Sequence, residues 1–420
     1  MHNYLFEGLD TVMMANEFKT PLYLISENFI IQRIDEIKES FINKYDNTWA
    51  AYASKAFLNK EMARIIKREG IGMDVVSGGE LYTAKSVDFP MKDIMFHGNG
   101  KTKAELEMAV EYGVGRIIVD NIDELLLLND IARKHNKEAN ILFRITPGVS
   151  IDTHKYIQTG QVDSKFGIPL KDGIIYDAIK QAISLENINL LGLHFHVGSQ
   201  LHSVNSHLDS INIGINIINE IKNKFEFEIK ELNVGGGFGV RYKDDADRKP
   251  LRFFIEPIME KIESLCEIFK LERPKIIIEP GRWVVAEAGI TLYTVTSTKE
   301  IPNVRNYISI DGGMTDNPRP ALYGAKYEAV VANKFGEKNN YVSTIAGKCC
   351  ESGDILLWDL ESPKIEVGDT IAVFATGAYN YSMASNYNRI PKAAVVMIKD
   401  SVPRIIVKRE SYEDIINNDI

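Results

Sequence analysis

From about residue 48 to residue 282, short β-branched apolar runs alternate with longer stretches in which apolar residues recur every three or four positions. Stretches such as "FLNKEMARIIKREG" (57–70), "KAELEMAVEYG" (103–113) and "IDELLLLNDIARKHN" (122–136) present one apolar face, as a helix packed on a sheet requires. The short runs between them predict eight strands: "TWAAYASK" (48–55), "GIGMDVVS" (70–77), "IMFHGN" (94–99), "RIIVDN" (116–121), "ANILFRITP" (139–147), "LLGLHFHVGS" (190–199), "ELNVGGGF" (231–238) and "KIIIEPGR" (275–282). Eight strand-then-helix units in succession predict a (β/α)8 barrel. Beyond residue 285 the long helical stretches disappear. "GITLYTVTSTKEI", "VRNYISIDGG", "YEAVVANK", "DTIAVFAT", "AAVVMIKD" and "VPRIIVKRE" read as strands of a second, mostly antiparallel β domain, a barrel or sandwich. The strand-like "TPLYLISE" (20–27) precedes the barrel and is expected to join that β domain, so the expected division is 28–283 for the barrel against 1–27 and 284–420.

Composition narrows the class. A chain of 420 residues, 45% hydrophobic and 25% charged, can bury two cores. The net charge of -9, with no basic block, argues against nucleic acid or an acidic membrane as partner and favours a small-molecule enzyme. The first residues carry neither a basic segment nor a sustained apolar one, so no secretory signal or membrane span is expected and a cytoplasmic location follows. Cys266, Cys349 and Cys350 fit no disulfide framework and no zinc spacing, which suits reduced thiols.

Barrel enzymes build their sites at the carboxyl ends of the strands, and the unusual residues of this chain fall there. The first run ends at Lys55; the second carries Asp74 and Ser77; the third ends in His97 and Asn99. The sixth holds His194, His196 and Ser199, the seventh Gly235-Gly236-Gly237, and the eighth Glu279-Pro280-Gly281-Arg282. A lysine after a strand is ordinarily a solvated charge, but one at a barrel mouth can condense with a carbonyl group of a substrate or of pyridoxal phosphate. Three glycines let backbone N–H groups approach an anion such as phosphate; alone they also suit a tight turn. Glu279 follows "KIII" and is expected to be shielded from water, so it needs a partner: Arg282, or a ring nitrogen of a cofactor. His194 and His196, two apart, face one side of a strand, yet no zinc spacing joins them to His97 or Asp74, and no metal is expected.

Taken together, "YASKAF" (52–57), "HKYIQTGQVDSKFG" (154–167), "HFHVGSQ" (194–200), "NVGGGFG" (233–239), "EPGRWVVAEAG" (279–289), "DGGMTDNPRPALYGA" (311–325), "CCESGD" (349–354) and "GAYNYSMASNYN" (377–388) resemble the fold-type III pyridoxal-phosphate decarboxylases. Those enzymes pair an alanine-racemase-like barrel with a C-terminal β domain. Within the group the resemblance is to the branch that converts meso-2,6-diaminopimelate to L-lysine and CO2. It implies pyridoxal 5′-phosphate carried by Lys55, with His196 stacked on the ring and Glu279 on the pyridine nitrogen. It assigns the phosphate to Ser199, the glycines at 235–237, the backbone of Glu279, Pro280, Gly281 and Arg282, and Tyr379. It assigns the substrate to Arg282, Arg319, Tyr323, Glu351 and Tyr379, and the proton donor to Cys350. It further implies a homodimer in which Cys350 and Glu351 complete the site of the partner subunit. Two arginines and an acid suit the distal carboxylate and ammonium of diaminopimelate, whereas ornithine or lysine, with no distal carboxylate, would leave those arginines unpaired. The alternatives are such a decarboxylase of another basic amino acid, or a silent cofactor-binding relative. The segment 148–166, the longest barrel connection, is the expected closing loop. "NRIPKAAVV" lacks the arginine-proline-acid pattern common at that point in the family, and "HFHVGSQ" has valine in place of isoleucine.

Overall fold

A computed structural model of the chain describes residues 2–148, 164–242 and 248–420. Most of the expected closing loop, most of the "HKYIQTGQVDSKFG" string and most of the "DDADRK" run therefore lie outside the described residues. Two compact units divide the chain: Ile34–Gly239 with Lys249–Trp283, and Met1–Arg33 with Val240–Arg248 and Val284–Ile420.

The first unit holds the eight predicted strands, at Thr48–Ala53, Gly72–Val75, Ile94–Phe96, Arg116–Val119, Ala139–Thr146, Ile188–His194, Glu231–Asn233 and Lys275–Ile278. Each pairs parallel with the next. The eighth returns to pair parallel with the first, Ile276 opposite Thr48, and closes the barrel. Ala51, Met95, Ile118, Leu142 and Ile277, each from a different strand, meet in one apolar cluster, as the inward positions of a small barrel must.

The strands stop short of the runs read from sequence; in the first four, the last residues of the run belong to a turn leading to a side-chain helix cap. Asn59 caps Lys60–Glu69 through Glu61 N and Met62 N. Thr102 and Glu105 form a reciprocal capping box on Lys103–Tyr112, and Asn121 caps Ile122–Lys134. Ser77, which its position singles out for chemistry, is the cap of Gly78–Lys85. The sixth strand ends at His194, so His196 and Ser199 stand on the turn beyond it rather than beside His194 on one strand face. Short, capped turns leave little freedom to the residues at this end of the barrel, and fix where Lys55, Asp74 and His97 stand.

The second unit is built on a sheet in which Leu22–Ser26 pairs antiparallel with Gly289–Ile301 and parallel with Ala394–Lys399. The N-terminal strand thus lies in the β unit. Apart from that parallel pairing and the one between Arg305–Ile310 and Tyr341–Ala346, the described pairings of this unit are antiparallel. Tyr341–Ala346 and Ile355–Ser362 were not among the runs read as strands; they pair antiparallel, and "CCESGD" is their connection. Two apolar clusters back the sheet, one around Tyr293, Ile310 and Ile345 and one around Leu24, Leu292 and Val396.

Candidate active site

At the carboxyl end of the barrel, Lys55 sits exposed in a single turn, Ser54–Ala56, that directly follows the first strand. The turn is anchored on both sides: Ala53 N donates to Pro280 O at 3.2 Å, and Ser54 Oγ to Glu80 Oε2 at 3.0 Å. Gly281 is required here, since a Cβ on it would stand 2.9 Å from Ala53 Cβ and 3.0 Å from Ala53 O. Arg282, buried, reaches Ser199 Oγ with Nε at 3.3 Å and Nη2 at 3.2 Å. So the residues expected at the ends of the first, sixth and eighth strands occupy one end of this unit. Asn99, marked for its position alone, makes no hydrogen bond with them among the described residues.

Glu279 is the electrostatic centre of that end. Only 7% exposed, it faces His97 Nε2 at 2.6 Å and Asn233 Nδ2 at 2.7 Å through Oε1, and His194 Nε2 at 3.2 Å through Oε2. Its partner is therefore not Arg282. Burial opposes its ionisation, but His97 and His194 outweigh burial and hold the carboxyl well below the usual carboxylate range. Burial pushes His194 down to about 3, so it donates as the neutral Nε2–H tautomer and its Nδ1 has no partner among the described residues. Three N–H donors then hold one carboxylate, whose oxygens offer about four lone-pair positions, so one remains for a further donor. His97, His194 and Glu279 also present ligand atoms within 4.8 Å of one another, a spacing a metal ion could use. The 2.6 Å contact is a hydrogen bond, however, and a nitrogen that donates a proton to Glu279 has no lone pair for a metal. Asp74 lies next to this group, His97 Nε2 being 4.0 Å away, and burial raises its pKa. Burial, reinforced by Lys55, drives His196 well below its ordinary value, so it is neutral.

The glycine turn after the seventh strand is tightly held. A Cβ on Gly236 would fall 2.1 Å from Glu279 O, and one on Gly237 2.3 Å from Gly198 O, so only glycine fits either position. Gly235 N donates to Asn233 Oδ1 at 2.9 Å, Gly236 N to His196 Nδ1 at 3.3 Å, and His207 Nε2 to Gly236 O at 2.9 Å. The expectation that all three glycines offer their amides to an anion narrows accordingly: two are engaged within the chain, and Gly237 N has no acceptor among the described residues. Of these partners, Asn233 and His207 were not singled out from sequence. Asn233 is the last residue of an ordinary-looking strand, and His207 lies inside the helix Asn205–Phe225.

In the β unit, Arg319 opens the short helix Arg319–Tyr323 and is 8% exposed. Its Nη1 donates to Tyr327 Oη at 2.6 Å and Tyr242 Oη at 3.1 Å, while Nε and Nη2 have no acceptor among the described residues. Tyr327 Oη donates on to Asn380 Oδ1 at 3.3 Å, which ties this helix to the turn bearing Tyr379. Tyr379 has φ +61, a left-handed conformation unusual for a tyrosine and of the kind that accumulates at functional sites. Tyr323, half-buried, ends the same helix as Arg319. Cys350 and Glu351 are exposed on the hairpin connection, whereas Cys349 is buried, and burial with the charge of Asp354 pushes its thiol up to about 11. Asp354, unremarked in the sequence, organises that connection: Oδ1 accepts Met314 N at 2.7 Å and Oδ2 accepts Cys349 N at 2.9 Å. Cys350 N in turn donates to Asn388 Oδ1 at 2.8 Å.

Comparison with known proteins fits this arrangement. The family model for the pyridoxal binding domain of pyridoxal-dependent decarboxylases matches residues 28–286. A diaminopimelate decarboxylase of Bacillus subtilis is 46% identical over 413 residues, covering 98% of this chain and 94% of that one. One from Methanocaldococcus jannaschii is 38% identical over 421 residues, covering 99% and 95%. Among solved structures, the M. jannaschii diaminopimelate decarboxylase in complex with L-lysine superposes with a TM-score of 0.93 at 38% identity, covering 100% of this chain and 96% of that chain. The Helicobacter pylori enzyme complexed with L-lysine gives 0.88 at 31% identity, covering 96% and 98%.

Proposed function

The chain belongs to the pyridoxal-dependent decarboxylases, and we propose that it converts meso-2,6-diaminopimelate to L-lysine and CO2 with pyridoxal 5′-phosphate as cofactor. The residues at the barrel end fit that cofactor. Glu279 retains one lone-pair position for a ring N–H, and the glycine turn offers the Gly237 amide where any Cβ would collide. When bound, the cofactor supplies an electron sink for the pair left on the α-carbon as the carboxylate departs. Lys55 holds it through its amine, and Glu279, kept ionised by its three donors, keeps the proton on the ring nitrogen. His196, neutral and buried, is the ring's stacking partner by family likeness. Ser199, Gly237, the Glu279–Arg282 backbone and Tyr379 hold the phosphate.

The choice of substrate is carried by one observation: Arg319, buried, is braced through Nη1 by two tyrosines while Nε and Nη2 remain open. Those nitrogens match the fork an arginine offers a carboxylate, and diaminopimelate has a second carboxylate to hold, as ornithine and lysine do not. Arg282, Tyr323 and Tyr379 complete the grip, and Glu351 reads the distal ammonium. Cys350 delivers the proton that replaces the carboxylate on the α-carbon. A proton donor works best away from bulk water, yet Cys350 and Glu351 are exposed in the single chain. This supports a two-fold dimer in which both residues complete the partner subunit's site. Three free thiols also suit the reducing cytoplasm, where the reading places the enzyme.

The test is a product assay. With pyridoxal phosphate added, meso-diaminopimelate should yield L-lysine and CO2 one to one. No lysine from diaminopimelate, with an amine formed from ornithine, arginine or lysine instead, would overturn the choice of substrate.

A further inference from the structure

Asn233 stands at the last position of the seventh barrel strand, 0% exposed, and its side chain makes two hydrogen bonds in opposite senses. Nδ2 donates to Glu279 Oε1 at 2.7 Å, and Oδ1 accepts Gly235 N at 2.9 Å. The assignment of amide nitrogen and oxygen follows from the partners, since a carboxylate cannot donate and a backbone N–H cannot accept. The backbone closes the same loop from the other side: Glu279 N donates to Gly235 O at 2.8 Å. One buried amide thus bridges the carboxylate at the end of the eighth strand and the first residue of the glycine turn at the end of the seventh.

We propose that Asn233 is a positioning residue that locks the Gly235–Gly237 turn to the Glu279 carboxylate, so that the phosphate and the ring nitrogen of pyridoxal phosphate meet partners held at a fixed separation. The inference rests on the functional reading above and adds to it a residue that touches neither end of the cofactor. The bridge matters because it is the side-chain link that joins two ends which other contacts hold separately: His97 and His194 on Glu279, His196 and His207 on the turn. The turn has φ of +72 at Gly235 and +94 at Gly237, values open to glycine at small steric penalty and therefore poorly determined by the backbone alone. Glu279 has flexible side-chain torsions and two imidazoles that also draw on its oxygens. With Asn233 in place, the Gly235 amide is satisfied within the chain and the turn presents Gly237 N in one orientation.

Two substitutions separate the two bonds. Asn233→Asp keeps an acceptor for Gly235 N but replaces the donor to Glu279 with a second carboxyl; Asn233→Ala removes both. Cofactor-free protein is titrated with pyridoxal phosphate, followed by its near-visible absorbance, and separately with inorganic phosphate, followed by phosphorus NMR line broadening. Loss of a hydrogen bond to a charged group predicts roughly ten- to hundredfold weaker pyridoxal phosphate binding in Asn233→Asp. Its phosphate binding should stay within about twofold, as Gly235 N keeps an acceptor on residue 233. Asn233→Ala should weaken both ligands. Circular dichroism confirms folding of each variant, and Asn233→Asp carries the test if the alanine variant does not fold. The proposal is overturned if Asn233→Asp binds pyridoxal phosphate as the unmodified protein does, or if it loses phosphate and pyridoxal phosphate equally, as general loosening would produce. Failure of the unmodified protein to bind pyridoxal phosphate at all would instead overturn the functional reading.

Discussion

Replacing Glu279 with glutamine removes one charge and nearly no volume, so it isolates the electrostatic role of the carboxylate. Its surroundings can accept the change. The amide oxygen can take the place of Oε1, where His97 and Asn233 donate at 2.6 and 2.7 Å, leaving the amide nitrogen facing His194 Nε2, 3.2 Å from the present Oε2. His194, neutral and with Nδ1 unpartnered, can change tautomer and accept instead. One donor is then left unsatisfied on Nδ1, about 1–3 kcal/mol of stability, which a folded barrel can tolerate. The catalytic loss is of a different kind. On the proposed reading, a buried ionised acceptor for the ring N–H gives way to an amide N–H that cannot accept it, and the loss, up to about 3 kcal/mol, corresponds to roughly a hundredfold in kcat. The assay is initial-rate lysine formation at saturating meso-diaminopimelate and pyridoxal phosphate, with cofactor content measured on the same sample. A kcat within threefold of the unmodified enzyme at full cofactor occupancy would refute the argument, because the carboxylate charge would then have no part in the reaction.

Three further outcomes follow from the same geometry. Arg319→Met should weaken use of meso-diaminopimelate by roughly ten- to hundredfold in kcat/KM, the value of a charged hydrogen-bond pair, and a change below threefold would remove Arg319 from the substrate site. Lys55→Ala and Cys350→Ala should each be nearly inactive, yet mixing them under subunit exchange should restore part of the activity; no recovery with exchange confirmed by mass would refute the shared site. His207 is fully buried with its pKa lowered from 6.5 to about 4, so on acidification the unfolded chain takes the proton first. Stability is therefore fully present above pH 6.5 and is lost as pH falls towards 4, by up to ~3 kcal/mol from this group, and His207→Gln should flatten that slope in urea unfolding.

The barrel was legible because its signal is carried by the chain's own periodicity. Every predicted strand from "TWAAYASK" to "KIIIEPGR" pairs in the expected order, and helices such as Ile122–Lys134 fall where the apolar repeat places them. What sequence order could not convey is where each strand ends. "LLGLHFHVGS" is uniformly strand-like, but its last five residues form a turn, and that separates the duties of the two histidines: His194 bonds Glu279 while His196 accepts from Gly236 N. Glu279 could be recognised as a buried acid that needs partners. The identity of those partners could not, since His97, His194 and Asn233 end three other strands and meet it only after the barrel closes.

The connection bearing Cys350 shows the opposite case, a chemical signal that stood out while its scaffold did not. "YVSTIA" and "ILLWDLES" are short and mix buried with exposed positions without clean alternation, so neither announces a strand; only their pairing, Tyr341 opposite Ser362 and Ala346 opposite Ile355, makes them one. Asp354, at the foot of that hairpin, accepts the amides of Met314 and Cys349, and its carboxylate stands so close that a Cβ on Gly313 or Gly347 would come within 2.4 Å or 2.2 Å of Oδ2. The acid of "CCESGD" that shapes the connection is therefore the buried one, 2% exposed, while Glu351 remains at the surface. If Cys350 is the proton donor proposed above, its reach depends on how firmly the connection holds its backbone. Pinning the residue before it, Cys349, to a buried carboxylate, and Cys350 itself through Asn388, restricts that backbone while leaving the thiol exposed, as the proposed shared site requires.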